Sequence, residues 1–137
     1  MTARSQSSIQ HLQTTILRSV SRSFYLSIRF LPTQLREPIA LAYLLARTTD
    51  TIADATRIPG PVRMDALKML SDGIQDTASR EVVINHVASF VPLQENAAEQ
   101  KLLDLLPDCL KWLEQIGEAD RDDIRTVLEK KIGRAHV

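Results

Sequence analysis

The stretch TQLREPIALAYLLARTTDTIADAT, residues 33–56, keeps one helical period over about six turns, and that excludes most small folds at once. Leu41, Leu45 and Ile52 fall on one side of such a helix. Tyr43, Arg47, Asp50 and Asp54, at steps of four, three and four, fall on the other. A helix this long needs other helices or a large sheet to cover its apolar side. No segment shows the alternating pattern of a half-buried strand between turn signals, so helices are the expected cover.

The same spacing recurs along the chain. Ile9, Leu12, Ile16 and Val20 predict a first helix; SRSFYLSIRFLP restarts one near Ser21 and ends it by Pro32. Pro38 sits near the start of the long helix, where its missing N–H matters least or where it kinks the first turn. RIPGPV is the clearest break. Leu67, Leu70 and Ile74 then line up, and a shorter helix runs from about Arg80 to Phe90, before Pro92. A helix from about Gln94 carries Leu102, Leu106, Cys109, Leu113 and Ile116 in a seam, with Pro107 as a kink or break and Gly117 suited to its C-terminal cap. EADRDDIRTVLEKK is a last amphipathic helix whose acidic start suits the helix dipole. The expectation is an all-α, layered assembly held by stacked apolar stripes.

Composition narrows the function. The 137 residues suffice for about one domain, and 44% hydrophobic with 25% charged residues is an ordinary globular balance. Seventeen basic and seventeen acidic residues give no basic excess, so a general nucleic-acid binder is not expected. The single Cys109 has no internal disulfide partner, and the first residues lack the apolar core of a signal peptide, so a cytoplasmic setting is expected. No apolar run reaches the roughly 18–20 residues of a membrane span. His11 and His86 are isolated and read as surface or capping residues, Trp112 and Phe90 as packing, and the four glycines form no phosphate loop.

The polar side of the long helix permits two readings. It is a solvated face with an internal Arg47–Asp50 pair, which contributes little, or it is a metal site. Asp50 and Asp54 stand about 6 Å apart in helical rise, and a divalent cation would relieve their repulsion. Mg²⁺ takes one or two carboxylates together with water and phosphate oxygens. Arg47, one turn away, could grip phosphate as a fork. Upstream, VSRSF at Val20–Phe24 lies where one helix gives way to the next. Free N–H groups there form an anion seat, beside the hydroxyls of Ser21 and Ser23 and the charge of Arg22. Ser21 is equally suited to be a plain N-cap and Phe24 to be core.

Residues 20–54, VSRSFYLSIRFLPTQLREPIALAYLLARTTDTIAD, resemble the squalene/phytoene synthase family of head-to-head prenyl transferases. The S-R-S-F element, the LP..LR turn and the Y...R..D...D strip occur in that order and spacing. The resemblance implies the all-α isoprenoid synthase fold, with helices around an apolar cavity and two aspartate-rich strips at its mouth holding Mg²⁺ and prenyl diphosphates. Carried over by position, Asp50 and Asp54 are first-strip Mg²⁺ ligands, Arg47 and Tyr43 contact substrate, and Ser21, Arg22 and Ser23 bind diphosphate. The family joins two prenyl diphosphates, commonly farnesyl or geranylgeranyl. Diphosphate departs, a cyclopropylcarbinyl intermediate forms, and in squalene synthases NADPH reduces the rearranged cation. DTIAD resembles the squalene-synthase type, because phytoene synthases often carry an aspartate where Thr51 stands. Relatives acting on lipidic substrates can be peripheral to a bilayer. A non-catalytic assembly or scaffold protein of the same fold is the alternative, and it is expected to lack the metal ligands present here.

No second aspartate-rich strip follows; DRDDIR, Asp120–Arg125, opens a polar helix instead. The last six residues, IGRAHV, reverse-translate as ATC GGA AGA GCA CAC GTC, the start of a common sequencing adapter. The expectation is that residues 1–131 are the N-terminal part of one isoprenoid synthase domain, that residues 132–137 are adapter-derived, and that this length alone is inactive.

Overall fold

The computed structural model describes residues 9–135 except 56, 78, 90–91 and 93–95, and among them it contains helices and no strand. A π-wound segment, Leu12–Ile16, leads into α1, Leu17–Val20. Then come α2 (Arg22–Ile28), α3 (Thr33–Ala53), α4 (Gly60–Ile74), α5 (Arg80–Ala88), α6 (Ala97–Asp104), α7 (Leu106–Gln115) and α8 (Glu118–Ala135). The expected all-α class is what the chain adopts.

Helix boundaries follow local chemistry. Ser21 caps α2: its Oγ accepts from the Phe24 N–H at 3.2 Å. Asn96 caps α6, its Oδ1 accepting from the N–H groups of Ala98 (2.8 Å) and Glu99 (3.1 Å). Gln94 lies outside the described residues. Pro107 occupies the first turn of α7, and the seam read as one helix is cut at Leu105. Asp76 holds φ = 60° just past α4. The Thr77 N–H reaches the Asp72 carbonyl (2.8 Å) and the Asp76 N–H the Gly73 carbonyl (3.3 Å). That is a Schellman closure with aspartate where glycine is usual.

Three local expectations are corrected. Pro38 lies in the second turn of α3, not the first, since the helix already begins at Thr33. Gly117 does not cap α7 in a left-handed conformation: the cap is Ile116, extended at φ −73°, ψ 160°, and no described glycine has positive φ. The Arg121 guanidinium takes over that work, donating to the carbonyls of Leu113, Glu114 and Ile116 at 2.8–3.0 Å. The first helix is π-wound over Leu12–Ile16, and that winding buries Leu12, Ile16 and Leu17 together while Val20 stays half-buried.

α3 is the central element, packed along α8, α4, α7 and α6. Its Leu41, Leu44, Leu45 and Ile52 are fully buried, among Leu67, Leu70 and Ile74 of α4, Trp112 of α7 and Leu128 of α8 in one continuous core. Ile124, Leu128 and Ile132, at steps of four, form the buried side of α8. Arg125 Nε donates to the Ile74 carbonyl (2.8 Å) and Gln75 Nε2 to the Arg125 carbonyl (2.7 Å), so α8 is tied to the end of α4. This attachment matters for the site, because it fixes α8 against the C-terminal half of α3.

Candidate functional site

α3 presents the predicted strip as its less buried side. Tyr43 and Arg47 are half-buried, Asp50 is partly covered and Asp54 is exposed. The Tyr43 ring stacks on Phe24, with centroids 4.0 Å apart and planes 13° from parallel. That stack brings the start of α2, which follows Ser21, against α3 at Tyr43. Ser21 spends its oxygen on the cap, whereas Arg22 and Ser23 are exposed. From Tyr43 to Asp50 is about 10 Å of helical rise, so the corner and the carboxylates flank one stretch of α3.

The internal Arg47–Asp50 pair does not form. Arg47 Nη2 reaches across to Glu99 Oε1 of α6 at 2.8 Å. Its Nε is buried without a hydrogen-bond partner. Asp50 Oδ1 instead meets Lys131 Nζ of α8 at 2.9 Å. Both pairs are partly open to solvent, where such contacts are worth little to stability. They show where each charge is aimed.

Asp50 and Asp54 open onto a groove of about 670 Å³ between α3 and α8, lined by Thr49, Asp50, Ala53, Asp54, Val127, Lys130 and Lys131. The two carboxylates stand in the last turn of α3, and Asp54 is its C-terminal cap. Unpaired carbonyls put partial negative charge at this end of a helix. Two acids there concentrate negative potential, and a cation is the natural compensation; in this structure Lys131 supplies part of it. Among the described residues no three His, Cys, Asp or Glu side chains gather into a metal cluster. A pair of hard oxygen donors nevertheless fits Mg²⁺, which commonly takes one or two carboxylates and completes its shell with water and phosphate.

Thr51 turns away from the groove into the core, 3% exposed, and its hydroxyl has no partner. Cys109 is fully buried, and desolvation, with the Asp108 charge beside it, pushes its thiol up to about 12. His11 is exposed, and His136 lies outside the described residues. Lys130, Lys131 and Glu99 were not singled out from the sequence. A basic pair late in an amphipathic helix was visible there, but its destination was not.

A family model for squalene/phytoene synthase matches residues 17–129. Among curated relatives, a squalene synthase of Botryococcus braunii is 38% identical over 65 residues, 47% of this chain and 14% of that protein. A squalene synthase of Solanum lycopersicum is 39% identical over 61 residues, 44% of this chain and 15% of its own length. A lycopaoctaene synthase of Botryococcus braunii is 36% identical over 61 residues, 44% of this chain and 14% of that protein. The chain thus spans about one-seventh of the length of the curated relatives it matches. No solved structure matches. With all-α architecture, the S-R-S-F corner stacked on the acidic helix and a family match over most of its length, the chain belongs to the squalene/phytoene synthase family.

Proposed function

We propose that this chain supplies one diphosphate- and Mg²⁺-binding wall of a transferase that condenses two prenyl diphosphates, farnesyl or geranylgeranyl, head to head. The observation that carries the proposal is the placement of Asp50 and Asp54 at the negative end of α3, open to a groove that also holds Lys130 and Lys131. Asp50 and Asp54 would hold the metal, which when bound offsets the charge of a departing diphosphate. Lys130, Lys131 and Arg47 place positive charge around the same wall, and Arg22 with the Ser23 hydroxyl adds donors at the α2 corner. Tyr43, held by Phe24, offers an aromatic surface for the allylic chain. The squalene synthases among the relatives support a squalene-type product, and with it reduction by NADPH. The 137-residue chain is proposed to be inactive alone, because it offers one acidic strip.

Asp50→Asn in an enzyme carrying these helices is expected to lower turnover of farnesyl diphosphate by about 10²–10³-fold, with far-ultraviolet circular dichroism unchanged. Unaltered rates would remove Asp50 from the site. The non-catalytic alternative draws on one observation: Lys131 already neutralises Asp50. It requires that Mg²⁺ and inorganic diphosphate, titrated together by calorimetry, give no heat that Asp50→Asn and Asp54→Asn remove.

A further inference from the structure

Arg47 and Glu99 lie 52 residues apart in the chain, yet Arg47 Nη2 meets Glu99 Oε1 at 2.8 Å. The contact exists because of where α6 begins. Asn96 caps that helix, and Glu99, three residues on, stands in its first turn. This is the capping-box spacing, in which a glutamate commonly turns back to the N–H of the cap residue. Here Oε1 accepts from Arg47. Leu102 and Leu103, one turn further along the same side of α6, are buried in the core. They hold that side of α6 toward the core, and the carboxylate is thereby presented to the strip on α3.

The carboxylate is placed independently of the arginine. A helix N-terminus favours an anion in its first turn, and the Glu99 N–H is itself engaged by Asn96 Oδ1 at 3.1 Å. Arg47 is less committed. Nη2 makes its one hydrogen bond among the described residues, and Nε is buried with no partner. The guanidinium has five N–H donors, and a single oxygen on a single nitrogen leaves its fork open, where a two-point pair would close it. The two side chains are 36% and 21% exposed, a setting in which an ion pair adds little to stability. What the contact fixes is direction. Without it the guanidinium samples the rotamers of a long side chain, and any anion that binds there must first order it.

We propose that Glu99 is a positioning residue for the diphosphate site: it steadies the Arg47 guanidinium through Nη2 and leaves the remaining Nη donors to phosphate oxygens. The inference rests on the reading of Arg47 as a diphosphate contact, and it brings in a residue of α6, outside both the acidic strip and the S-R-S-F corner. Arg47 turns to α6 and Asp50 to α8, so two helices steady neighbouring charges of the strip. The opposite role is a carboxylate that occupies Arg47 and has to be displaced by phosphate. It demands the reverse sign when the carboxylate's oxygen is taken away.

The test is titration calorimetry of the 137-residue chain with inorganic diphosphate in the presence of Mg²⁺. Glu99→Gln and Glu99→Ala lose the same charge, but only glutamine keeps an oxygen for Nη2, so their ratio isolates the anchoring. Ordering one rotamer-rich side chain is worth about threefold to tenfold in affinity, and Glu99→Ala should bind diphosphate more weakly than Glu99→Gln by that factor. In an Arg47→Ala background the two should be equal, because an effect exerted through Arg47 disappears with it. Glu114→Ala breaks another ion pair between helices, with Arg80 at 3.1 Å, and should bind as the wild type does. Circular dichroism confirms that each variant is folded. Equal affinities for Glu99→Gln and Glu99→Ala overturn the proposal, and so does a difference that persists without Arg47. Tighter binding by Glu99→Ala than by Glu99→Gln would make the glutamate a competitor for Arg47. Those results leave the diphosphate reading standing as long as Arg47→Ala alone weakens binding. An Arg47→Ala chain that binds as the wild type does, or a wild-type chain that gives no diphosphate heat, ends that reading and the positioning role with it.

Discussion

Thr48 and Thr49 return their hydroxyl protons to the carbonyls of Leu44 (2.8 Å) and Leu45 (3.0 Å), whereas Thr51, one turn further and equally enclosed, has no acceptor. An unsatisfied buried hydroxyl costs about 1–3 kcal/mol. Thr51→Val keeps the branched shape and removes that cost, so urea denaturation should show a gain of about 1 kcal/mol. A loss would mean that the hydroxyl has a partner in solution. Cys109 yields a pH prediction. Its thiol titrates near 12 in the fold and near the ordinary 9 when unfolded. The folded state holds the proton longer, so the associated stability is complete below about pH 9 and is lost as pH rises through about 12. Cys109→Ala should therefore flatten the alkaline limb of a stability–pH curve, and native protein at neutral pH should resist thiol alkylation. Rapid alkylation under native conditions would contradict the burial.

At the scale of elements, α4 and α5 meet unusually closely. A Cβ at Gly73 would stand 3.0 Å from Cγ2 and 3.1 Å from Cγ1 of the fully buried Val83. Alanine in a helix gains about 1 kcal/mol over glycine in propensity, but overpacking against a β-branched side chain with one stiff rotamer costs about 1–3 kcal/mol. Gly73→Ala should lower the melting temperature on balance; an increase would show that the two helices can spread. Which helices exist was legible because the evidence is local. Apolar steps of three and four, Asn96 before Ala97 and Pro107 after a finished turn act within a few residues of themselves. The π winding at Leu12–Ile16 was not legible, since it repays a packing arrangement in which Leu12, Ile16 and Leu17 are buried together. Nor was the role of Arg121, whose guanidinium closes a helix that glycine was expected to close.

At the scale of the whole molecule, the acidic groove exists only because α8 lies along α3 and delivers Lys131 to Asp50. A lysine there competes with a metal and attracts a phosphate, which gives a prediction of two signs. Lys131→Gln should tighten Mg²⁺ binding several-fold when Mg²⁺ is titrated alone, and should weaken binding of Mg²⁺ with inorganic diphosphate. Titration calorimetry on the one variant reads both. The same sign in both titrations would show that Lys131 plays only one of these parts. No helix among the described residues is long and apolar enough to cross a membrane.

Periodicity, proline and glycine punctuation and the order S-R-S-F, Tyr43, Arg47, Asp50, Asp54 were enough to establish an all-α chain, its central helix and its family. Each of these is a property of neighbouring residues under fixed covalent geometry. Partnership was another matter. Of the two readings of the strip, the one that paired Arg47 with Asp50 three residues on is not what forms: Arg47 reaches Glu99 on α6, and Asp50 meets a lysine of α8. Within one helix a pair of charges gains only tenths of a kcal/mol, so the summed burial of Leu, Ile and Trp across α3, α4, α7 and α8 sets which helices adjoin. The charges then take whichever partners that packing brings within reach.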